Sequence, residues 1–343
     1  MKKTLLYVAA LAASMTVADK MQAQDVHGTL RGKYEYQTEE GEGRFEVRTA
    51  RVSITGDLSP VVDYKAEIDL CDEGAIKMLD AYARFKPLDD AAFTIGQMRV
   101  PFTIDAHRSP HQQYFANRSF IAKQVGNVRD VGATVSYKPS SSVVLEAGLF
   151  NGSGLTGQKD YWTKSVNFSA KAQFFLPVEA WNGGSGNAFR GWNLTLSAQK
   201  IKPEDVTVMM YDAGIYMQTG RFHLEGEYLY KTYAHDAFSN VHSVDAFACY
   251  DFPLRGHAFS KISPLVRYDF MSDHSNGKRH ADTGNLGIDD SKRSRLTGGV
   301  TLSLMKAFVS DIRINYEKYF YGHDAQPKPS ERDKIVVEFM TRF

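Results

Sequence analysis

Downstream of its first residues the sequence has no apolar run long enough to cross a bilayer as a helix, which takes about 20 residues. It has little helical periodicity either, so a helical bundle and a helical membrane protein are both excluded. There are only two cysteines among 343 residues, Cys71 and Cys249, far apart and without metal-ligand companions at useful spacing. A disulfide between them is permitted outside the cytoplasm, but two unpaired thiols is the favoured reading. Charge of one sign is missing too: 41 basic residues stand against 40 acidic ones. A near-neutral chain lacks the basic field that nucleic acid requires. Glycine motifs that cradle phosphates in nucleotide-binding loops are absent.

What is present begins at the N-terminus. Lys2 and Lys3 precede the apolar run Leu5 to Val17, and a polar stretch rich in small residues follows from Ala18 to Gln24. That layout predicts a secretory signal peptide, residues 1–23, cleaved near Ala23. A membrane anchor is the competing reading, but the run is short for one. The single mature domain is then 24–343. Losing Lys2, Lys3, Lys20 and Asp19 takes the net charge from +1 to −1.

Alternation with period two runs through the rest of the chain. In 62–70, Val62, Tyr64, Ala66, Ile68 and Leu70 alternate with Asp63, Lys65, Glu67 and Asp69. One face is wholly apolar, the other wholly charged. The pattern predicts sixteen strands: 26–37, 44–58, 61–70, 77–86, 92–100, 129–138, 142–150, 165–176, 190–200, 208–218, 221–232, 242–251, 261–271, 294–304, 309–319 and 333–343. Most are about ten residues long, the length of a tilted membrane-crossing strand. The fourth and fifth are the least clean, with apolar residues on both faces. Short turns such as Ser59-Pro60 and Thr219-Gly220 alternate with long connectors such as 101–128 and 272–293. Two connectors, 177–189 and 252–260, are long on the short-turn side.

The apolar phase also carries aromatics that water would disfavour, among them Tyr64, Tyr137, Trp192, Tyr211, Tyr268 and Phe343, many near strand ends. A soluble β-sandwich or solenoid accounts for this less well. The expected architecture is all-β, a sixteen-stranded antiparallel transmembrane β-barrel exposed to outer-membrane lipid. Sixteen strands enclose a wide lumen. Its inward phase carries Lys33, Lys65, Arg84, Lys171, Arg267 and Arg313 with Asp57, Glu67, Asp69, Glu146, Glu225, Glu227, Asp245, Asp269 and Glu338. Such charges are expected to stay in water, because burying them dry costs heavily. A wet lumen in turn implies passage of small hydrophilic solutes.

The segment Arg99 to Arg129 is the sharpest candidate site. Arg99, Arg108, Arg118, Lys123 and Arg129 stand there against one acid, Asp105. As the third connector on the long side, it narrows the lumen and favours small anions if it folds inward. Guanidinium groups suit phosphate and carboxylate geometry. The alternative is a solvated surface loop whose basic residues pair with lipid phosphates or lumen acids.

Three motifs resemble the phosphate-selective porin O and P family in order and spacing. They are Arg48-Thr49-Ala50-Arg51-Val52-Ser53-Ile54 with Gly56, Asp80-Ala81-Tyr82-Ala83-Arg84-Phe85, and Gly96-Gln97-Met98-Arg99-Val100-Pro101-Phe102. The terminal Phe343, with apolar residues at alternate positions before it, resembles the insertion signal of outer-membrane barrels. The resemblance is concentrated in 44–140. It implies a trimeric sixteen-stranded channel in the outer membrane of a Gram-negative bacterium, with an infolded third loop. It also implies an arginine ladder and a lysine cluster in the pore. No run of inward arginines on successive strands stands out from the sequence.

Enzymatic chemistry finds little support. His223, His242 and Ser243 have no nucleophile-and-base spacing. His274 and His280 with Asp273 and Asp282 read as a solvated polar loop more readily than a metal site. No metal and no cofactor is expected. A barrel enzyme or an adhesion protein using the long connectors remains the second class, separable from a channel by conductance.

Overall fold

A strand in hydrocarbon has no water to satisfy its backbone, so every N–H and C=O must find a partner on a neighbouring strand. The computed structural model describes residues 24–72, 74–124, 129–152, 154, 162–176, 191–204, 206–256, 258–280, 282–304, 309–322, 325 and 327–343. Sixteen long strands meet the backbone requirement: β1 (Asp25–Gln37), β2 (Glu42–Ser59), β3 (Val62–Asp72), β4 (Ala75–Leu88), β5 (Ala91–Arg99), β6 (Arg129–Ser140), β7 (Val143–Phe150) and β8 (Asn167–Leu176). The second half comprises β9 (Trp192–Ile201), β10 (Val208–Thr219), β11 (Phe222–Tyr233), β12 (Val241–Tyr250), β13 (Phe259–Met271), β14 (Arg293–Leu304), β15 (Val309–Tyr321) and β16 (Lys334–Arg342). Each pairs antiparallel with its sequence neighbours, and β1 pairs with both β2 and β16. The sheet is closed. Among the described residues no helix is long and apolar enough to cross a membrane.

The seam is held by the last residue as well as the last strand. The Phe343 and Gly28 amides each donate to the other's carbonyl, at 3.1 and 2.7 Å. The Phe343 ring lies over Gly28, where any Cβ would collide with it.

Burial runs opposite to that of a soluble protein. Leu196, Tyr211, Val266, Tyr268, Tyr316 and Phe339 are exposed, while Lys33, Asp69, Glu225, Arg267 and Glu338 are buried. The apolar phase faces out and the charged phase faces in, as the alternation predicts.

Departures from the sequence expectation have local causes. In β4 the outward residues are Ile76 and Met78 on one side of a bulge and Ala81 and Phe85 on the other. Leu79 is the extra residue opposite the Glu67–Ile68 step, so the phase flips mid-strand and both faces read as apolar. The long connector 252–260 is shorter than it reads, because Phe252 and Pro253 pair back onto Ile262 and Lys261. The signal segment 1–23, the connector 177–189 and the turn Met305 to Phe308 lie outside the described residues. Cys71 and Cys249 are both free.

Val266 sits mid-strand on the lipid face. Val266→Arg is expected to destabilise the barrel by about 2–4 kcal/mol, measured by reversible urea unfolding in lipid vesicles.

Candidate functional site

After β5 the described part of the connector, 100–124, contains two 3-10 turns, Asp105–His107 and Pro110–Gln112, and a short helix, Phe120–Gln124. Sixteen of its residues from Val100 to Gln124 are buried, among them Phe102, Asp105, Arg108, Phe115 and Ile121. A loop spread over a surface would not be. Its partners lie on the inward faces of many strands. The Thr103 amide donates to Ser197 Oγ on β9 at 3.1 Å, and Ser169 on β8 donates to the Pro101 carbonyl at 2.8 Å. Ile104 and Asp105 offer their amides to Glu227 on β11. Farther along, Arg31 on β1 donates to the Ala116 carbonyl at 2.7 Å, Arg267 on β13 to Asn117 at 3.0 Å, and Arg295 on β14 to Arg118 at 2.7 Å. The Phe120 amide donates to Asp269 on β13 at 3.1 Å. Carbonyls and amides that would be unsatisfied in a buried loop are thus taken up by wall side chains.

The inner wall is prepared for this docking. Near the long-loop ends of β10 and β11 its inward residues turn apolar: Val208, Met210, Leu229 and Tyr233 pack with Met98, Val100, Phe102 and Ile121. Gly214, inward on β10, leaves the space that the Ile104 side chain fills; a Cβ there would collide with it. Sequence reading treated the whole inward phase as wet and missed this apolar floor. Its signal was present at the start of β10, where Val208, Met209, Met210 and Tyr211 make both phases apolar.

All six lumen-facing candidates point inward, and each has an acid partner. Lys33 meets Glu35 at 2.9 Å, Lys65 meets Asp80 at 2.6 Å and Arg84 meets Asp63 at 2.9 Å. Lys171 meets Glu146, Arg267 meets Asp269 and Arg313 meets Glu338, each at 2.9 Å. The expectation that these charges would stay in water is corrected for Lys33, Lys171, Arg267 and Arg313, which are buried, and pairing offsets the cost of their burial. Arg84 and Lys65 remain partly accessible. Asp57, also expected inward, is exposed, 3.8 Å from Lys86.

The five connector candidates divide. Arg108 forks onto Glu225, Lys123 meets Glu331, and Arg129 meets Asp80 at 2.6 Å. Arg99 and Arg118 instead donate to backbone carbonyls, Arg99 to His107 at 2.6 Å and Arg118 to Asp105 and Arg108. Among the described residues neither has a carboxylate within ion-pair distance. The charges of Arg31, Arg51 and Arg129 act on Arg118 against that of Asp105, and those of Arg129 and Arg118 act on Arg99 against those of Asp80 and Glu67. Burial pushes Arg118 down to about 10; the neighbouring guanidiniums add to the shift and Asp105 opposes it.

Sequence reasoning missed Arg31, Arg51, Arg293 and Arg295. With Arg267 and Arg313 they set inward arginines on β13, β14, β15, β1 and β2; mid-β16 places Glu338 among them, which takes Arg31 at 2.6 Å and Arg313 at 2.9 Å. The run was hidden because the strands that close the barrel lie at opposite ends of the sequence. Arg31, two residues before Lys33, could have been found by phase alone.

Toward the short-turn end, the connector roofs a cavity of about 630 Å³ bordered by Arg108, His111, Tyr114, His223, Lys261 and Arg342. Arg342 donates to His111 Nε2 at 2.9 Å. Burial, then Arg342 and Arg313, push His111 down to about 4, so the ring is neutral at pH 7.

Residues 20–175 match the family described as phosphate-selective porin O and P, which upholds the resemblance drawn from the three motifs. No curated protein matches the sequence. The fold is similar to several solved outer-membrane proteins. A loop-deletion mutant of OmpT from Vibrio cholerae is 10% identical, with 94% of this chain and 98% of that chain covered and a TM-score of 0.61. The outer membrane channel DcaP of Acinetobacter baumannii is 14% identical, with 93% and 96% covered and a TM-score of 0.59. An anion-selective porin from Comamonas acidovorans is 12% identical, with 93% and 98% covered and a TM-score of 0.60. At such identities the likeness establishes the fold, a closed sixteen-stranded antiparallel barrel.

Gly214→Leu fills the seat of Ile104 and is expected to displace the connector from the wall. Single-channel conductance should then change while the barrel stays folded; an unaltered conductance would place the connector away from the current path.

Proposed function

We propose that this chain, whose residues 20–175 match the phosphate-selective porin O and P family, forms a water-filled channel for small hydrophilic solutes with a preference for anions. Its place is the outer membrane of a Gram-negative bacterium. Residues 1–23 act as the export signal and 24–343 as the single barrel domain. The observation that carries the anion reading is that Arg99 and Arg118 have carbonyls rather than carboxylates as hydrogen-bond partners, with the charges of Arg31, Arg51 and Arg129 acting on Arg118 and that of Arg129 on Arg99. Most other inward charges cancel in pairs, so these two leave a net positive potential where the connector meets the β1–β2 wall. A positive narrowing between low-dielectric walls concentrates anions and repels cations. The planar, forked guanidinium suits tetrahedral and carboxylate oxyanions. On this reading the connector is the constriction and the channel does no covalent chemistry.

Assembly as a homotrimer accords with the fold; OmpT of Vibrio cholerae, 12% identical, is described in a trimer form. The anion-selective Comamonas acidovorans porin shares the fold and supports the same selectivity class.

Purified protein in a planar bilayer should give ohmic steps, and the reversal potential in a salt gradient should carry the sign of anion permeation. Arg118→Ala and Arg99→Ala should each lower the anion-to-cation permeability ratio several-fold. Cation preference in the parent protein, or ratios untouched in both variants, would refute the assignment.

The His111 ring adds a pH test. A depressed pKa means the charge appears only as pH falls through about 4. Between pH 8 and 6 the permeability ratio of His111→Gln should equal that of the parent, and a histidine-dependent gain in anion preference should appear only near pH 4.

A further inference from the structure

Four inward carboxylates crowd together on β10, β11 and β12, beneath the first turn of the connector. Strand pairing sets Glu227 directly opposite Asp245. A carboxylate oxygen from each of Glu225, Glu227 and Asp245 lies within 4.8 Å of the other two, and all three residues are at most 2% exposed. Asp212, 4% exposed, stands against Glu227 from the adjacent strand. Like charges opposed across a ladder repel, and burial removes the screening that would soften this.

The surrounding cations do not balance the group. Arg108 is committed to Glu225. Arg267 approaches Asp245 no closer than 3.8 Å, while it lies 2.9 Å from Asp269. Glu227 receives the amides of Ile104 and Asp105, which are dipoles and not full charges. Asp212 Oδ1 receives the Ser197 hydroxyl at 3.2 Å. Two buried oxygens are left with no hydrogen-bond donor, Asp245 Oδ1 and Asp212 Oδ2. A buried anionic oxygen without a donor is among the costliest features a fold can carry.

We infer that Asp212, Glu225, Glu227 and Asp245 hold a divalent cation of the calcium type, bracing β10, β11 and β12 where the connector rests on them. The donors are all hard carboxylate oxygens, with no imidazole or thiolate, which selects calcium over zinc or copper. Calcium accepts an irregular shell of six to eight oxygens, so carboxylates arriving from three strands at unequal reach suit it better than magnesium's rigid octahedron. Two positive charges offset Asp212 and Glu227, which have no cation partner, and Asp245, which shares Arg267 with Asp269 at the longer distance of 3.8 Å, gains a closer one. Sequence spacing gave no sign of this group, because its members become neighbours only through strand pairing. The inference concerns binding to the barrel and stands apart from solute selectivity.

The test uses the full mature protein, folded in detergent, stripped with EDTA and titrated with calcium chloride by calorimetry at pH 7.5. About one calcium per chain is expected, with a higher Tm in calcium than in EDTA. Asp245→Asn and Asp212→Asn should each weaken binding by about tenfold or more. Each should also raise the Tm of the EDTA-treated protein, because each removes an uncompensated charge. The two variants are independent, so a folding failure in one leaves the other decisive. Absence of calcium binding in the parent, or equal binding in parent and variants, overturns the site. The first outcome would assign the crowding to shared protons, and the second would place the calcium elsewhere on the protein.

Discussion

The requirement that no backbone group face hydrocarbon unpaired governs this molecule. An open edge between β1 and β16 would leave two rows of N–H and C=O groups in lipid, at several kcal/mol for each. Pairing of Thr29 through Gln37 with Lys334 through Arg342, and the reciprocal bonds between Gly28 and Phe343, remove that edge. Closure then fixes everything else about placement. Once the sheet is a cylinder, alternate side chains have only lipid or lumen to face, and the two phases of each strand are sorted without further instruction.

Closure also creates the second problem, which is charge. Sixteen inward faces bring many ionised groups into one enclosed space, and the connector packs against several of them. The structure answers with shared acids. Asp269 takes Arg267 and Arg295, each at 2.9 Å, together with the Phe120 amide, and Glu338 bridges Arg31 and Arg313. Toward the long-loop ends of β10 and β11 the wall becomes apolar, and burial of Phe102 and Ile121 there adds to the Arg108–Glu225 ion pair lower on β11. The arginines that escape pairing with carboxylates are the ones that bind carbonyls, and carbonyls do not cancel charge.

Much of the fold was legible because a membrane strand has only two faces. The charged and apolar phases of 62–70 located β3 and its inward set, and all sixteen segments correspond to observed strands within about three residues at their ends. Legibility failed where one extra residue changed the phase, as at Leu79, and where a short return pairing shortened a connector, as at Phe252–Pro253. It failed at the candidate site for a different reason. Arg99 and Arg118 were on the list of basic residues, yet nothing local distinguished them from Arg108 or Lys123, which carboxylates more than a hundred positions away neutralise.

By itself, then, the sequence determined strand number, phase and the basic character of the third long connector, since these depend on neighbours one or two residues apart. Only the tertiary structure decided which charges survive, which acids crowd together on β10 to β12, and where the connector rests. Those outcomes depend on distances between residues that chain order keeps apart, and electrostatic energy follows distance in space.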